Sequence, residues 1–159
     1  MANDFVSDED FDGMLLAWFA NASRVLKPGG SFFIWGGYAN LGNYPAPIKA
    51  AGHHFYEPNN ATDLWHVKKV NPQAMVHLTE KPVELAVRCI QYSSKPGENV
   101  LDLFGGSGST LIGCEQTDRN AFLMELDELY CDVIVKRWEA FTGKKAKRIA
   151  AKQSPATQA

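Results

Sequence analysis

Leu101-Asp102-Leu103-Phe104-Gly105-Gly106-Ser107-Gly108-Ser109-Thr110 is the stretch on which the reading of this 159-residue chain turns. Asn99 to Leu103 has the pattern of a buried strand, Phe104 to Gly108 is almost without bulk after its one aromatic ring, and Ser109 to Gln116 reads as a helix. A strand that passes through such a loop into a helix presents unpaired backbone N–H groups to a small ligand.

The loop's own residues narrow the ligand. A Walker loop needs Lys-Ser or Lys-Thr after its last glycine, and Gly108 is followed by Ser109 and Thr110. A dinucleotide fingerprint begun at Gly106 and Gly108 needs a third glycine where Leu111 stands, which weakens that reading and leaves it as an alternative. What remains is a loop with a carboxylate, Asp102, at its head, an aromatic, Phe104, and no basic residue. It suits a cation better than a phosphate.

A second carboxylate follows at the end of the next apolar run. Ala121 to Leu126 predicts a strand, and Glu125 near its end is placed, in a β-α-β unit, to accept hydrogen bonds from the two hydroxyls of a ribose. Asp127 either caps the following helix or adds to the ligand contacts.

Around this centre the periodicities predict an α/β protein. Ser7 and Asp10 resemble a capping box, and Phe11, Met14, Leu15, Trp18, Phe19, Ala22 and Leu26 recur at helical spacing, so a helix is expected from Ser7 to Leu26. Lys27-Pro28-Gly29-Gly30 ends it, and Ser31 to Trp35 resumes as a strand. Lys95-Pro96-Gly97 repeats this connection before Asn99, after a helix expected from about Glu80 to Ser93. A last helix is expected from about Asp127 to Phe141, with Tyr130, Val133, Ile134, Arg137, Trp138 and Phe141 as a core stripe. Thr62 to Val67 alternates like a strand, and His53 to Tyr56 like another.

Composition bounds the class. With 45% hydrophobic and 21% charged residues the chain has the makings of one domain over residues 1–150, with residues 151–159 as a disordered tail. Cys89, Cys114 and Cys131 are odd in number and widely spaced, which predicts buried thiols and neither disulfides nor a zinc site. No metal site is expected from His53, His54 and His66. No signal peptide and no membrane-length apolar run stands in the sequence, so the expectation is no membrane and a cytoplasmic location. A formal net charge of −2 leaves DNA binding to a local patch, for which Lys136, Arg137, Lys144, Lys145, Lys147, Arg148 and Lys152 are the candidates against a plain solvated C-terminus.

The segment from Asp102 to Thr110, preceded by His77-Leu78-Thr79-Glu80-Lys81-Pro82 and followed by Glu125-Leu126-Asp127, resembles the C-terminal half of the S-adenosylmethionine-dependent DNA amino-methyltransferases. That family makes N6-methyladenine or N4-methylcytosine. Three motifs in the family's order carry the resemblance, dense from about His77 to Lys145; Leu78 stands where the family's His-Pro-Thr-x-Lys-Pro has its first proline. The resemblance implies a mostly parallel, Rossmann-like class I methyltransferase sheet, incomplete in this chain. It implies a cofactor, S-adenosylmethionine, with Thr79 and Lys81 near its methionine carboxylate. Asp102 would meet its ammonium, Phe104, Gly105, Gly106, Ser107 and Gly108 would line the methionine and sulfonium, and Glu125 would hold its ribose.

The resemblance also marks what this sequence lacks. The family's catalytic Asp-Pro-Pro-Tyr, which precedes the segment matched by Ser7 to Gly36, does not occur, and the catalytic residues are unknown. Asn43-Tyr44-Pro45-Ala46-Pro47 is a poor substitute and reads as the start of a short helix. Only Gly52 to Val76 fills the place of the family's DNA-reading region. The expectation is therefore a site-specific DNA methyltransferase in truncated or internally deleted form, or alternatively a non-catalytic S-adenosylmethionine-binding module. A missing central strand would leave one edge of Asn99 to Leu103 open, so either Ser31 to Trp35 pairs with it or another chain covers it. Leu101 and Leu103 exposed on an unpaired edge count against both.

Overall fold

Ser7 opens the first element. Its hydroxyl accepts the Asp10 N–H at 3.2 Å, the N-cap half of the capping box anticipated from the sequence, and donates to the Asp10 carboxylate at 2.7 Å. Helix α1 runs Asp8–Val25 behind it. In the computed structural model, which describes residues 7–35, 42–53, 65, 67, 68, 71, 73 and 81–149, the chain forms two compact units, Met1–Trp65 and His66–Ala159.

In the first unit, Leu15 and Phe19 of α1 meet Ile48 of α2, Pro45–Ala50, with Phe11, Phe32, Tyr44 and Ala51 packed around them. Pro45 stands at the head of α2, where a missing N–H costs no hydrogen bond, and Pro47 is buried beside Ile48. Asn43 to Pro47 therefore serves this helix start. Ser23 locks α1 to the end of α2 by donating to the Ala51 carbonyl at 2.6 Å. The His53 ring nitrogen lies 2.9 Å from the Ser23 hydroxyl and 3.2 Å from the Phe19 carbonyl.

Ser31 to Trp35 is not a strand, which corrects the expectation. Phe32 alone turns inward, its ring 5.9 Å from that of Phe19 and 4.7 Å from that of His53, while Phe33, Ile34 and Trp35 stay exposed. Aromatic and β-branched residues such as Phe32 to Trp35 report a preference for a half-buried pleated surface, and a ladder needs a neighbouring strand that this segment does not have among the described residues. Most of the expected strands at Thr62 to Val67 and His53 to Tyr56 lies outside the described residues; Trp65, Val67 and His53 are described and belong to no strand.

The second unit reads α3 (Val83–Ser93), β1 (Asn99–Asp102), α4 (Ser109–Thr117), β2 (Asn120–Leu123) and α5 (Glu128–Thr142). Strands β1 and β2 are parallel, with Asn99 opposite Asn120 and Asp102 opposite Leu123. This is an α/β arrangement of a small parallel sheet flanked by helices, an incomplete Rossmann-like sheet. The second Lys-Pro-Gly connection is realised as expected: Gly97, at φ +82°, donates to the Asp118 carbonyl at 2.6 Å and hands the chain into β1. Arg119 ties the same corner to α3 by donating to the Ser94 carbonyl and hydroxyl.

Helices α3 and α4 approach at Gly113, where a Cβ would sit 3.3 Å from both the Ala86 Cβ and the Ile90 Cδ1. That closeness needs glycine inside a helix despite its cost of about 1 kcal/mol against alanine.

The two strands divide into faces. Val100, Asp102, Ala121 and Leu123 are half-buried, while Leu101 and Phe122, opposite each other in register, are exposed together with Leu103 and Met124. Leu101 is 54% and Leu103 47% exposed, and no described strand pairs with the outer edge of β1. This corrects the buried-strand reading, and Ser31 to Trp35, which forms no strand, does not extend the described sheet. An all-parallel sheet is normally covered on both faces, and here the face of Leu101 and Phe122 is open.

Candidate functional site

The loop after β1 is built from its own short-range bonds. Asp102 ends the strand with both carboxylate oxygens engaged: Oδ1 accepts the Phe104 N–H at 3.0 Å and Oδ2 accepts the Thr110 hydroxyl at 2.6 Å. One side chain thus spans the loop from its first residues to the first turn of α4. Between these points Gly105 to Gly108 makes a tight turn, closed by the Gly108 N–H on the Gly105 carbonyl at 2.8 Å. Gly106 at φ +53° and Gly108 at φ +81° take left-handed conformations that a side chain would strain.

Strand β2 holds the loop from beside it. Met124 donates to the Asp102 carbonyl and accepts from the Gly105 N–H, both at 2.8 Å. Glu125 then closes the contact. Its Oε2 accepts the Gly106 N–H at 2.7 Å, and its Oε1 accepts those of Leu126 at 2.8 Å and Asp127 at 3.0 Å. Burial pushes this carboxyl up, and the N–H groups of Asp127, Gly106 and Leu126 more than reverse the effect, so it ionises below the ordinary carboxylate range. Asp127 is the helix cap of α5, its side chain accepting the Leu129 N–H at 2.8 Å.

Helix α5 braces the loop from the other side. Ile134 lies against it so closely that a Cβ on Gly105 would come 3.0 Å from the Ile134 Cδ1, and one on Gly108 3.2 Å from its Cγ2. One turn further on, Arg137 Nη1 donates to both the carbonyl and the hydroxyl of buried Ser107, each at 3.0 Å. Arg137 was expected in the core stripe; it is a polar brace of the loop. Trp138 likewise spends its indole N–H on Glu115 of α4 at 3.2 Å.

The expected site residues therefore divide. Asp102, Gly105, Gly106, Ser107, Gly108 and Glu125 are brought into one constellation, and Phe104 projects from it, 70% exposed. Lys81 enters through its backbone, whose carbonyl accepts the Ser109 hydroxyl at 2.7 Å. Thr79, with His77, Leu78 and Glu80, lies outside the described residues. Thr110 and Arg137 belong to the site without having been singled out for it. A charged residue in an otherwise apolar stripe was the available signal for Arg137, because such a group is buried only where something accepts its hydrogen bonds.

Chemically the constellation is rich in acceptors. A carboxylate offers about four lone-pair directions, of which Asp102 uses two and Glu125 three internally. A ligand with hydroxyls and a cationic group finds acceptors there, beside the N-terminus of α4.

The remaining candidates separate from the site. Burial pushes the Cys89 and Cys114 thiols up to about 11. Cys131 is exposed, correcting its expected burial, because it falls on the solvent side of α5. Two members of the basic patch are paired, Lys144 with Glu115 and Lys145 with Glu139, both at 2.8 Å. Among the described residues no helix is long and apolar enough to cross a membrane, and no group of three His, Cys, Asp or Glu is placed to hold a metal ion.

Known proteins resemble this chain in sequence and in fold. A family model described as DNA methylase matches residues 49–136. The type II methyltransferase M.Cfr9I of Citrobacter freundii is 41% identical over 78 residues, 49% of this chain and 26% of the relative. M.SmaI of Serratia marcescens is 32% identical over 81 residues, 51% of this chain and 27% of the relative. The chain thus matches about a quarter of the length of these curated relatives. Among solved structures, the M1.HpyAVI–SAM complex superposes with a TM-score of 0.68 at 21% identity, covering 84% of this chain and 85% of that one. TTHA0409 of Thermus thermophilus, complexed with S-adenosyl-L-methionine, gives 0.57 at 20% identity over 83% and 78%. At these identities the likeness is one of fold.

Proposed function

The chain belongs to the DNA methylase family, and on that premise we propose that its glycine loop holds S-adenosylmethionine for methyl transfer to N6 of adenine or N4 of cytosine in DNA. The observation that carries this reading is the bond from the Gly106 N–H to Glu125 Oε2. It brings the two carboxylates of the family pattern to one loop, Asp102 at its head and Glu125 at its side. Supporting it are the relatives, named as type II methyltransferases, and two structures of the same fold, named as complexes with this cofactor.

The residues fit such a ligand. Glu125 keeps one acceptor direction for a ribose hydroxyl after serving three backbone groups. Asp102 keeps two for an ammonium, directly or through water. Gly105 to Gly108 bring backbone close to the methionine and sulfonium without side-chain interference, with Phe104 beside them. Lys81, next to the entrance of α3, is assigned the methionine carboxylate together with Thr79, whose place is outside the described residues. When bound, the cofactor supplies an electrophilic methyl on sulfur.

The receiving amine has its lone pair delocalised into the base, so a flipped base must be stacked and its amino group must donate to an acceptor before the lone pair can face the methyl. That acceptor is left unassigned, since the sequence contains no Asp-Pro-Pro-Tyr. The relatives' names, type II methyltransferases, support DNA as the partner; a role in restriction-modification and a place in the cytoplasm are proposed with it.

A second reading is a module that binds S-adenosylmethionine without transferring its methyl group. Calorimetric titration with S-adenosylmethionine, followed by transfer of labelled methyl to unmodified DNA, separates the two. Binding with transfer supports the enzyme and binding alone supports the module. No binding removes the cofactor assignment.

A further inference from the structure

We propose that Arg137 is a positioning residue of the cofactor loop, fixing the orientation of the turn that the ligand meets; its effect on affinity rests on the S-adenosylmethionine reading above. The loop is held at adjacent residues by opposite charges. Glu125, after β2, takes the N–H of Gly106, and Arg137, on α5, donates to the carbonyl and hydroxyl of Ser107. An anion on a donor and a cation on two acceptors leave the turn little freedom to rotate, because each contact is directional and charge-assisted.

Simple packing does not account for Arg137. Ile134, one turn earlier, already fills the space against Gly105 and Gly108, so the apolar seat of α5 on the loop exists without a guanidinium. What Arg137 adds is direction. Ser107 is 5% exposed, and a carbonyl and hydroxyl at that depth need a donor or they lose the hydration they had in the unfolded chain. If Arg137 were replaced, the turn would gain by rotating Ser107 toward water, away from the conformation in which Gly106 faces Glu125.

The test compares Arg137→Met, Arg137→Lys and the exposed neighbour Lys136→Met in the full chain. Hydrogen exchange is followed for peptides covering 103–108 and, separately, α3 and β2, and affinity for S-adenosylmethionine is measured by calorimetry. With Arg137→Met, loop exchange is expected to rise and affinity to fall, each roughly tenfold, about 1.4 kcal/mol in either quantity. Exchange in α3 and β2 stays unchanged, Arg137→Lys falls between because its ammonium keeps the charge and the donors on a shorter, more flexible stem, and Lys136→Met matches wild type.

Wild-type loop exchange in Arg137→Met overturns the proposal. So does a rise spread equally over α3 and β2, which marks a general loss of stability. If Arg137→Met does not fold, the same comparison is read from Arg137→Lys. If wild type binds no S-adenosylmethionine, the cofactor reading falls, and the exchange measurement still decides the role of Arg137.

Discussion

Gly106 gives its backbone N–H to Glu125 Oε2 at 2.7 Å, so the turn after β1 is fastened to the chain leaving β2 by the carboxylate assigned to the ribose. Under the proposed assignment, loop geometry and ligand recognition share one group. The other oxygen, Oε1, is held by the N–H groups of Leu126 and Asp127, which fixes the carboxylate before any ligand arrives. Such preorganisation lowers the cost of binding, since the rotamer is already chosen.

Glu125→Gln is expected to loosen the loop. An amide has one acceptor oxygen, whereas Glu125 serves donors on both of its oxygens; the NH2 must face either Gly106 or the Leu126 and Asp127 pair, donor against donor. A lost charged hydrogen bond and an unpaired donor cost about 1–3 kcal/mol, so affinity for S-adenosylmethionine should fall roughly 5- to 150-fold in calorimetry. The pH dependence has a definite sign. The folded carboxyl is depressed, so its stabilisation is complete above the ordinary value of 4.5 and is lost as pH falls through the lower folded value. The difference in Tm between wild type and Glu125→Gln should shrink as pH drops from neutrality into that range.

The strand, glycine loop and helix from Asn99 to Thr117 were legible in the sequence because every signal there is local: alternation, small residues, a helix start. So was the first helix, through Ser7 and Asp10. Ser31 to Trp35 was misread because a strand is a relation to a neighbour, and the residue types of one segment carry no information about whether that neighbour is present. Leu101 and Leu103 were read as buried for the same reason, since burial depends on the second layer of a parallel sheet. Glu125 could be placed by its distance along a β-α-β unit. Arg137 and Thr110 act through contacts across 30 and 8 positions, which no short-range period reports.

The close seat of α5 on the loop predicts a compensating pair. Gly105→Ala places a methyl 3.0 Å from the Ile134 Cδ1 and 3.2 Å from the Met124 carbonyl, an overpacking worth about 1–3 kcal/mol. Ile134→Val removes that Cδ1 and alone costs about 0.5–1.5 kcal/mol. The double variant should be more stable than the sum of the two losses, and only in part restored, because the Met124 carbonyl cannot retreat without breaking its bond to the Gly105 N–H. Urea denaturation of the four chains measures the coupling. Strict additivity would show that the contact is not made.

The three thiols should separate by reactivity. Cys89 and Cys114 are buried and carry thiols raised to about 11, so almost no thiolate forms at pH 8. Cys131 is exposed on α5. Native protein treated with iodoacetamide at pH 8 should be modified once, at Cys131, and three times after denaturation, as read by mass spectrometry. Rapid native labelling of Cys114 would mean that α4 does not pack as described.

Thr110 supplies a test of the loop's other anchor. Its hydroxyl donates to Asp102 Oδ2 at 2.6 Å, and the half-buried carboxylate receives its other bond from Phe104 N–H. Thr110→Val keeps the shape and removes the donor, leaving Asp102 with one charged hydrogen bond fewer, at a cost of about 1–3 kcal/mol. Thr110→Ser keeps the donor and loses only a methyl, so it should stay within about 1 kcal/mol of wild type. The two variants part further on ligand binding. If Asp102 meets an ammonium, freeing its Oδ2 offers a ligand one more acceptor on a less fixed carboxylate, so Thr110→Val should lose stability without a matching loss of affinity for S-adenosylmethionine. Equal losses in both would mean that Asp102 acts on the ligand only by holding the loop in shape.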